Sequence, residues 1–361
     1  MEQQKKKRVI VGMSSGVDSS VAAALLQKQG FEVVGVFMHF WKEPAKNSLV
    51  ENKCCSLESL EDARKVCQIL GIPLYTANAE KEFKKEVVDY FLAEYTAGRT
   101  PNPCVVCNEH IKFNVLMKKM LEMEGDFIAS GHYSVNRKEA DGKFHLYQGR
   151  DLEKDQTYFL YNFNQKQLAK ILFPVGEYKK PEIRKIAEKL KLPVFNKDDS
   201  QGLCFTPEKY PENFLRRNLK LKKGKIINTE GKIIGEHDGL PLYTIGQRRG
   251  INIGGDGPYY VVGKDLKKNS LIVTNNENDP ALTDTEMQVE KVNWIVSEPK
   301  LPCKILVKTR YRHLAVSAII NSVKAGVYSV SFAEPQRAIS PGQSAVFYTD
   351  KGEMIGGGRI I

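Results

Sequence analysis

The apolar residues of the first two hundred positions fall into short runs separated by longer stretches of helical texture. Residues 9–11, 31–38, 72–77 and 126–130 read as strands, and 60–70 (ending at Gly71), 83–95 and 111–123 as helices. Strands alternating with helices predict a parallel sheet covered on both faces. Such sheets bind ligands beyond the carboxyl ends of their strands, where the loops gather. Beyond about residue 207 the texture changes. Residues 207–279 are rich in Lys and Gly, with short β-like runs at 224–227, 232–234 and 259–262. Alternating segments at 288–294, 303–309, 316–320, 328–332 and 345–348 follow, and short strands divided by Pro and Gly turns predict a small antiparallel barrel. The expected architecture is α/β: a parallel-sheet nucleotide-binding domain over 1–206, a small β-rich central domain over 207–279 and a C-terminal antiparallel β-barrel over 280–361.

The first strand runs into Gly12-Met13-Ser14-Ser15-Gly16-Val17-Asp18-Ser19, and Val21 to Leu26 continues with helix formers. Small residues let successive backbone N–H groups converge on an anion, and the helix dipole adds its positive end. The loop lacks the Lys of a Walker A motif and the third Gly of a dinucleotide fingerprint. Where the turn needs positive φ at Ser15, that residue carries a steric cost that Gly would not. The strand-end rule brings two further segments to this loop. They are Met38, a plausible adenine neighbour, and Gly131-His132-Tyr133, where Gly131 permits close backbone approach.

Lys and Arg outnumber Asp and Glu by 54 to 43, a net charge of +11. Arg216, Arg217, Lys220, Lys222, Lys223 and Lys225 fall within ten residues, and Arg248-Arg249 and 308–313 add further clusters. Such surfaces attract polyanions, nucleic acid above all. Seven cysteines, an odd number, predict a reducing compartment, the cytoplasm. The apolar stretch behind Lys5-Lys6-Lys7-Arg8 breaks at Ser14, so no membrane partner is expected.

Two loops carry cysteines suited to chemistry. Residues 99–108 (RTPNPCVVCN) read as a loop, with Cys107 at its end just before a helix beginning near Glu109, where the dipole would stabilise a thiolate. Residues 198–205 (DDSQGLCF) carry Cys204. Cys67 and Cys303 read as packing residues, and Cys54-Cys55 lies in a polar insertion over 41–59.

The Ser-Ser-Gly-Val-Asp-Ser order resembles the SGGxDS loop of ATP-pyrophosphatases. GMSSGVDSS, GRTPNPCVVCNEHIKF, GHY, KDQTYFL, DSQGLCF, TIGQRRG and SPGQSAVFY, in this order from residue 12 to residue 348, together resemble the tRNA-specific 2-thiouridylases. The resemblance implies an adenine nucleotide alpha-hydrolase-like first domain and ATP-dependent, Mg2+-assisted 2-thiolation of the wobble uridine of tRNA. The uridine C2 oxygen is adenylated, and AMP and pyrophosphate are released. It places ATP at Gly12 to Ser19, Met38 and Gly131. It makes Cys204 the cysteine that takes a persulfide sulfur from a donor protein and Cys107 the nucleophile, which pairs with Cys204 as a disulfide when sulfur leaves. Asn102, Pro103 and Cys104 match the segment beside the target base. His132, Lys154, Asp155, Gln156, Arg310, Tyr311 and Gln343 match tRNA-contacting positions.

Cys104 departs from the pattern, since many relatives carry Asp there. Three thiols, Cys104, Cys107 and Cys204, also admit a 4Fe–4S cluster with one open iron, the alternative route for the same reaction. More distant readings are a synthetase acting on a small molecule, which leaves the paired cysteines idle, and a non-catalytic RNA-binding protein.

Overall fold

The computed structural model describes residues 5–43, 56–199, 202–206, 208, 210–251, 253–254 and 257–361. The chain opens with β1 (Arg8–Met13), α1 (Val17–Lys28), β2 (Glu32–His39), α2 (Leu57–Leu70) and β3 (Leu74–Asn78). There follow α3 (Glu80–Phe83), a π-helical stretch (Lys84–Asp89), α4 (Tyr90–Thr96), α5 (Pro103–Val106), a second π stretch (Cys107–Lys112), α6 (Phe113–Glu122) and β4 (Phe127–Ala129). Next come β5 (Ser134–Lys138), β6 (Phe144–Gln148), α7 (Gln165–Leu168), β7 (Ile171–Leu172), α8 (Lys180–Lys189) and α9 (Glu212–Asn218). Strands β8 (Gly224–Asn228), β9 (Ile233–His237), β10 (Tyr260–Asp265) and β11 (Ser270–Thr274) build the central domain. The last six are β12 (Thr283–Trp294), β13 (Cys303–Lys308), β14 (Val316–Lys324), β15 (Val327–Arg337), β16 (Ser344–Tyr348) and β17 (Glu353–Ile360).

A parallel sheet in the order β3-β2-β1-β4-β7 forms the first domain. Its centre is β1, whose period-2 alternation sends Val9, Val11 and Met13 into one core and Ile10 into the core on the opposite face. α2 starts where Ser56 Oγ accepts from Ser59 N at 3.1 Å and stops at Gly71, left-handed at φ 66°. The four expected strands stand within one or two residues of their predicted places. A fifth, β7, has only two residues, too short to show a period.

The central strands pair as β10-β11-β8-β9. The C-terminal strands run β12-β15-β14-β13-β16-β17, and a β12–β17 pairing closes them into the expected barrel. Hairpin β5–β6, early in the chain, extends that sheet through Glu353↔Tyr147 and Met354↔Leu146. Cores cross the domain borders too. Ile10, Phe113, Tyr158, Val346 and Met354 share one cluster, and Phe91, Phe205, Phe214, Val261 and Leu271 share another. The parallel sheet, central domain and barrel are thereby packed around common apolar volumes. Among the described residues no helix is long and apolar enough to cross a membrane.

Candidate active site

Three segments converge at the carboxyl end of the parallel sheet. Between β1 and α1 the chain turns at Ser15, whose φ of 56° is the left-handed value that strains a non-Gly residue. Ser15 is buried, and its Oγ accepts from Lys197 Nζ at 3.3 Å. Ser14 N donates to Ser19 Oγ at 3.2 Å, which in turn donates to the Gly16 carbonyl at 3.1 Å, so the loop is braced by its own hydroxyls. A Cβ on Gly131 would lie 2.6 Å from Ser19 N, in the first turn of α1, so only glycine lets the β4 end approach this closely. A Cβ on Gly12 would stand 3.5 Å from the Met38 methyl, which places Met38 beside the loop.

Charge is stored here in pairs. Both Asp18 oxygens accept from Lys180 Nζ at 2.8 Å, and one also accepts from Tyr133 OH at 2.7 Å. Lys180, 8% exposed at its side chain, reaches Asp199 at 2.7 Å as well, and Asp199 accepts from Lys154 Nζ at 2.7 Å. Burial raises the Asp199 pKa, but hydrogen bonds from Lys154 and Lys180 outweigh it and hold the carboxyl below its usual range. Burial and neighbouring Asp18 push Tyr133 well up, so its hydroxyl stays protonated and donates. Lys197 also pairs with Asp62 at 2.7 Å. Lys180 and Lys197 were not singled out in the sequence. Two lysines in a lysine-rich chain have no local pattern to mark them, though Lys180 stands before Pro181 at a helix start.

The cysteine loop requires a correction. Cys107 is not at a helix N-terminus. The helix begins at Pro103, because proline at its first position gives up no intrahelical bond, and Cys104 occupies that first turn, exposed. Cys107 lies a turn further on, opening the π stretch and buried at 4% exposure. Neighbouring Asn108 donates from Nδ2 to the Phe159 carbonyl at 3.1 Å, while its buried Oδ1 has no protein partner. Cys107 belongs to the apolar cluster of Phe83, Phe91 and Phe205, and half-buried Cys204 packs against the same cluster. Ser200 and Gln201 of the Cys204 loop, and Cys54-Cys55, lie outside the described residues. Among the described residues no three His, Cys, Asp or Glu side chains form a group that would hold a metal ion. The donor set Cys104, Cys107 and Cys204, divided between surface and core, therefore does not fit a cluster as placed. Cys67 is packed in α2, and burial pushes its thiol to about 11.

The remaining sequence candidates differ in their surroundings. His132 packs against Phe113 and Phe173, with Nδ1 2.7 Å from Ser130 Oγ. Burial, then nearby Lys112, lowers its pKa to about 3, so the ring is neutral. Tyr311 packs against Phe159 with ring centroids 4.5 Å apart and planes tilted by 43°, and burial raises its hydroxyl to about 12. Gln156 Oε1 accepts from Tyr133 N at 3.1 Å. Asp155, 3% exposed, is spent on Thr157 Oγ1 at 2.8 Å, Gly149 N at 3.3 Å and Lys308 at 3.5 Å. Asn102 and Pro103 are buried. Arg310 and Gln343 direct their polar atoms to backbone carbonyls. In the basic clusters, Arg216 pairs with Asp238, Arg217 with Glu43 and Glu208, and Lys225 with Glu236.

Comparison with known proteins covers the whole chain. Residues 7–208 match the tRNA methyl transferase HUP domain, 212–275 the tRNA methyl transferase PRC-barrel domain and 284–360 the aminomethyltransferase beta-barrel domain. The chain is 45% identical over 368 residues to the tRNA-specific 2-thiouridylase MnmA of Psychromonas ingrahamii, covering 100% of this chain and 98% of the relative. Identity to the protein of the same name from Proteus mirabilis is also 45%, over 100% of this chain and 98% of that one. Among solved structures, a 4-thiouridine synthetase–RNA complex with bound ATP aligns at 16% identity and a TM-score of 0.36, over 58% of this chain and 50% of that one. At full-length coverage and such identity to its curated relatives, the chain belongs to the tRNA-specific 2-thiouridylase family.

Proposed function

We propose that this chain forms 2-thiouridine at the wobble position of tRNA, spending ATP to activate the base. The uridine C2 oxygen attacks the α-phosphorus of ATP and pyrophosphate leaves, converting a poor leaving group into AMP. The terminal sulfur of a Cys204 persulfide, loaded by a donor protein, then adds at C2. Cys107 attacks the Cys204 sulfur, AMP leaves, and the thiocarbonyl forms with a Cys107–Cys204 disulfide that a thiol reductant reopens. Gly12 to Ser19, Met38 and Gly131 would seat the nucleotide, with Lys180 and Lys197 as cations for its phosphates. Mg2+ is held mainly by phosphate oxygens plus one or two carboxylates, a need Asp18 fits. On the RNA side, Cys104, His132, Lys154 and Tyr311 would meet the anticodon loop, whose bases are turned out and stacked on aromatic or planar groups.

The observation that carries this reading is the shared surrounding of Cys107 and Cys204. Both sit at one apolar cluster, and among the described residues no three His, Cys, Asp or Glu side chains form a group that would hold a metal ion, which favours a two-thiol exchange over a three-thiol cluster. The test is mass spectrometry of tRNA nucleosides from a deletion strain complemented with wild type, Cys107→Ser, Cys204→Ser or Cys104→Ser. Loss of 2-thiouridine in the first two variants and its retention in Cys104→Ser is expected. Loss in all three, with iron and sulfide in anaerobically purified protein, would favour the cluster.

A further inference from the structure

Two motifs, residues 244–250 and 340–348, take no part in the chemistry above. We infer that they form a clamp that positions Cys107 from outside its own domain, with Thr244, Gln343 and Arg310 as positioning residues. The inference rests on the role proposed for Cys107.

The clamp closes on residues 98–103, which join α4 to the helix bearing Cys104 and Cys107. Every polar group of Thr100 is taken by another domain. Its hydroxyl donates to Thr244 Oγ1 at 3.2 Å, its N–H donates to the Pro341 carbonyl at 2.8 Å, and its carbonyl accepts from Gln343 Nε2 at 3.1 Å. Gln343 Nε2 also donates to the Pro101 carbonyl at 3.0 Å, and Asn102 Nδ2 to Ser344 Oγ at 3.2 Å. From the central domain, Lys264 Nζ donates to the Gly98 carbonyl at 3.0 Å. The contact leaves no room for a side chain at Gly342, φ +92°, where a Cβ would stand 2.9 Å from the Thr100 carbonyl oxygen.

Arg310 bolts the two jaws together. Its guanidinium donates to the Ile245 carbonyl at 3.0 Å in one motif and to the Ala338 carbonyl at 2.8 Å and Ser340 Oγ at 3.0 Å beside the other. Gly246, φ +80°, packs where a Cβ would meet Ala338 Cβ at 2.5 Å. Pro101 and Pro103 fix φ within the clamped segment, so a displacement at Thr100 passes into the helix start rather than being absorbed. Cys107 is four residues from Pro103.

The test uses reduced full-length enzyme and the variants Thr244→Val, Thr244→Ser and Gln343→Leu. One readout is iodoacetamide labelling of the Cys107 peptide, followed by mass spectrometry without ATP or tRNA. The other is single-turnover thiolation by persulfide-loaded enzyme across a tRNA titration. Thr244→Val and Gln343→Leu should each label Cys107 about tenfold faster and lower the saturating rate about tenfold, as misplaced reacting groups do. In Thr244→Val the half-saturating tRNA concentration should stay within about twofold, and Thr244→Ser should restore both readouts. Labelling unchanged in both variants, or in Thr244→Val a change confined to the half-saturating tRNA concentration, overturns the clamp. Faster labelling with an unchanged saturating rate keeps the clamp and overturns the role proposed for Cys107.

Discussion

The nucleotide end of the sheet and the cysteine helix are neighbours built from different forces. Around Gly12 to Ser19 the contacts are ionic: Lys180 between Asp18 and Asp199, Lys197 between Asp62 and Ser15. Around Thr100 they are nearly all neutral hydrogen bonds from two other domains. An anionic ligand competes directly for paired cations, so the ionic end can exchange partners when phosphates arrive. Neutral bonds to backbone carbonyls offer a phosphate nothing to exchange. Where the chemistry needs charge, the chain keeps it in reserve; where it needs orientation, the chain fixes geometry from outside.

The largest expected effect breaks the ionic end by sterics alone. Gly131→Ala places its Cβ against α1's first turn and should weaken ATP use about a hundredfold in kcat/KM, while Cys107 labelling stays at its wild-type rate. A parallel change in labelling would mean the two regions are not separate. Next, Lys180→Met leaves two carboxylates facing each other. It should destabilise the fold by about 2 kcal/mol in denaturant titration, below the range for fully buried pairs because Asp18 and Asp199 are partly exposed. An unchanged midpoint would remove Lys180 from the network.

Two histidines titrate in opposite directions and sharpen the contrast between sheet and barrel. His132, held neutral with a pKa of about 3, lies below its unfolded value near 6.5, so the unfolded chain takes up the proton first and stability falls as pH drops below about 6.5. The loss should reach roughly 1–2 kcal/mol by about pH 5.5 and shrink in His132→Gln. His145 is opposed by burial, but its hydrogen bonds to Glu353 at 2.6 Å and Asp141 win and raise its pKa. Its contribution is full below about 6.5 and lost as pH climbs through the raised value, an effect of about 1 °C in melting temperature that His145→Gln should abolish. The same pH slope in either variant as in wild type would contradict the assignment.

Much of the parallel sheet was legible because β1 and β2 carry the largely apolar runs Val9 to Met13 and Val33 to Met38, the first leading into small residues, and Ser15's left-handed turn follows from its place in the loop. The barrel's later strands were legible from alternation. Hairpin β5–β6 was not, since pairing with β17 two hundred residues later leaves no local trace. The start of the Cys104 helix was placed too late because Pro-Asn-Pro reads equally as a break or as a first helical position, and only tertiary contacts at Thr100 decide. The Lys180–Asp18 and Lys197–Asp62 pairs escaped for a related reason: both are made across more than a hundred residues.

The central claim is that this chain couples adenylation of a tRNA base to sulfur transfer. Purified persulfide-loaded enzyme, incubated with ATP and a tRNA carrying a wobble uridine, should yield AMP and 2-thiouridine in a one-to-one ratio, with neither formed when that uridine is replaced by cytidine. Release of ADP in place of AMP, or 2-thiouridine formed without ATP, would contradict it.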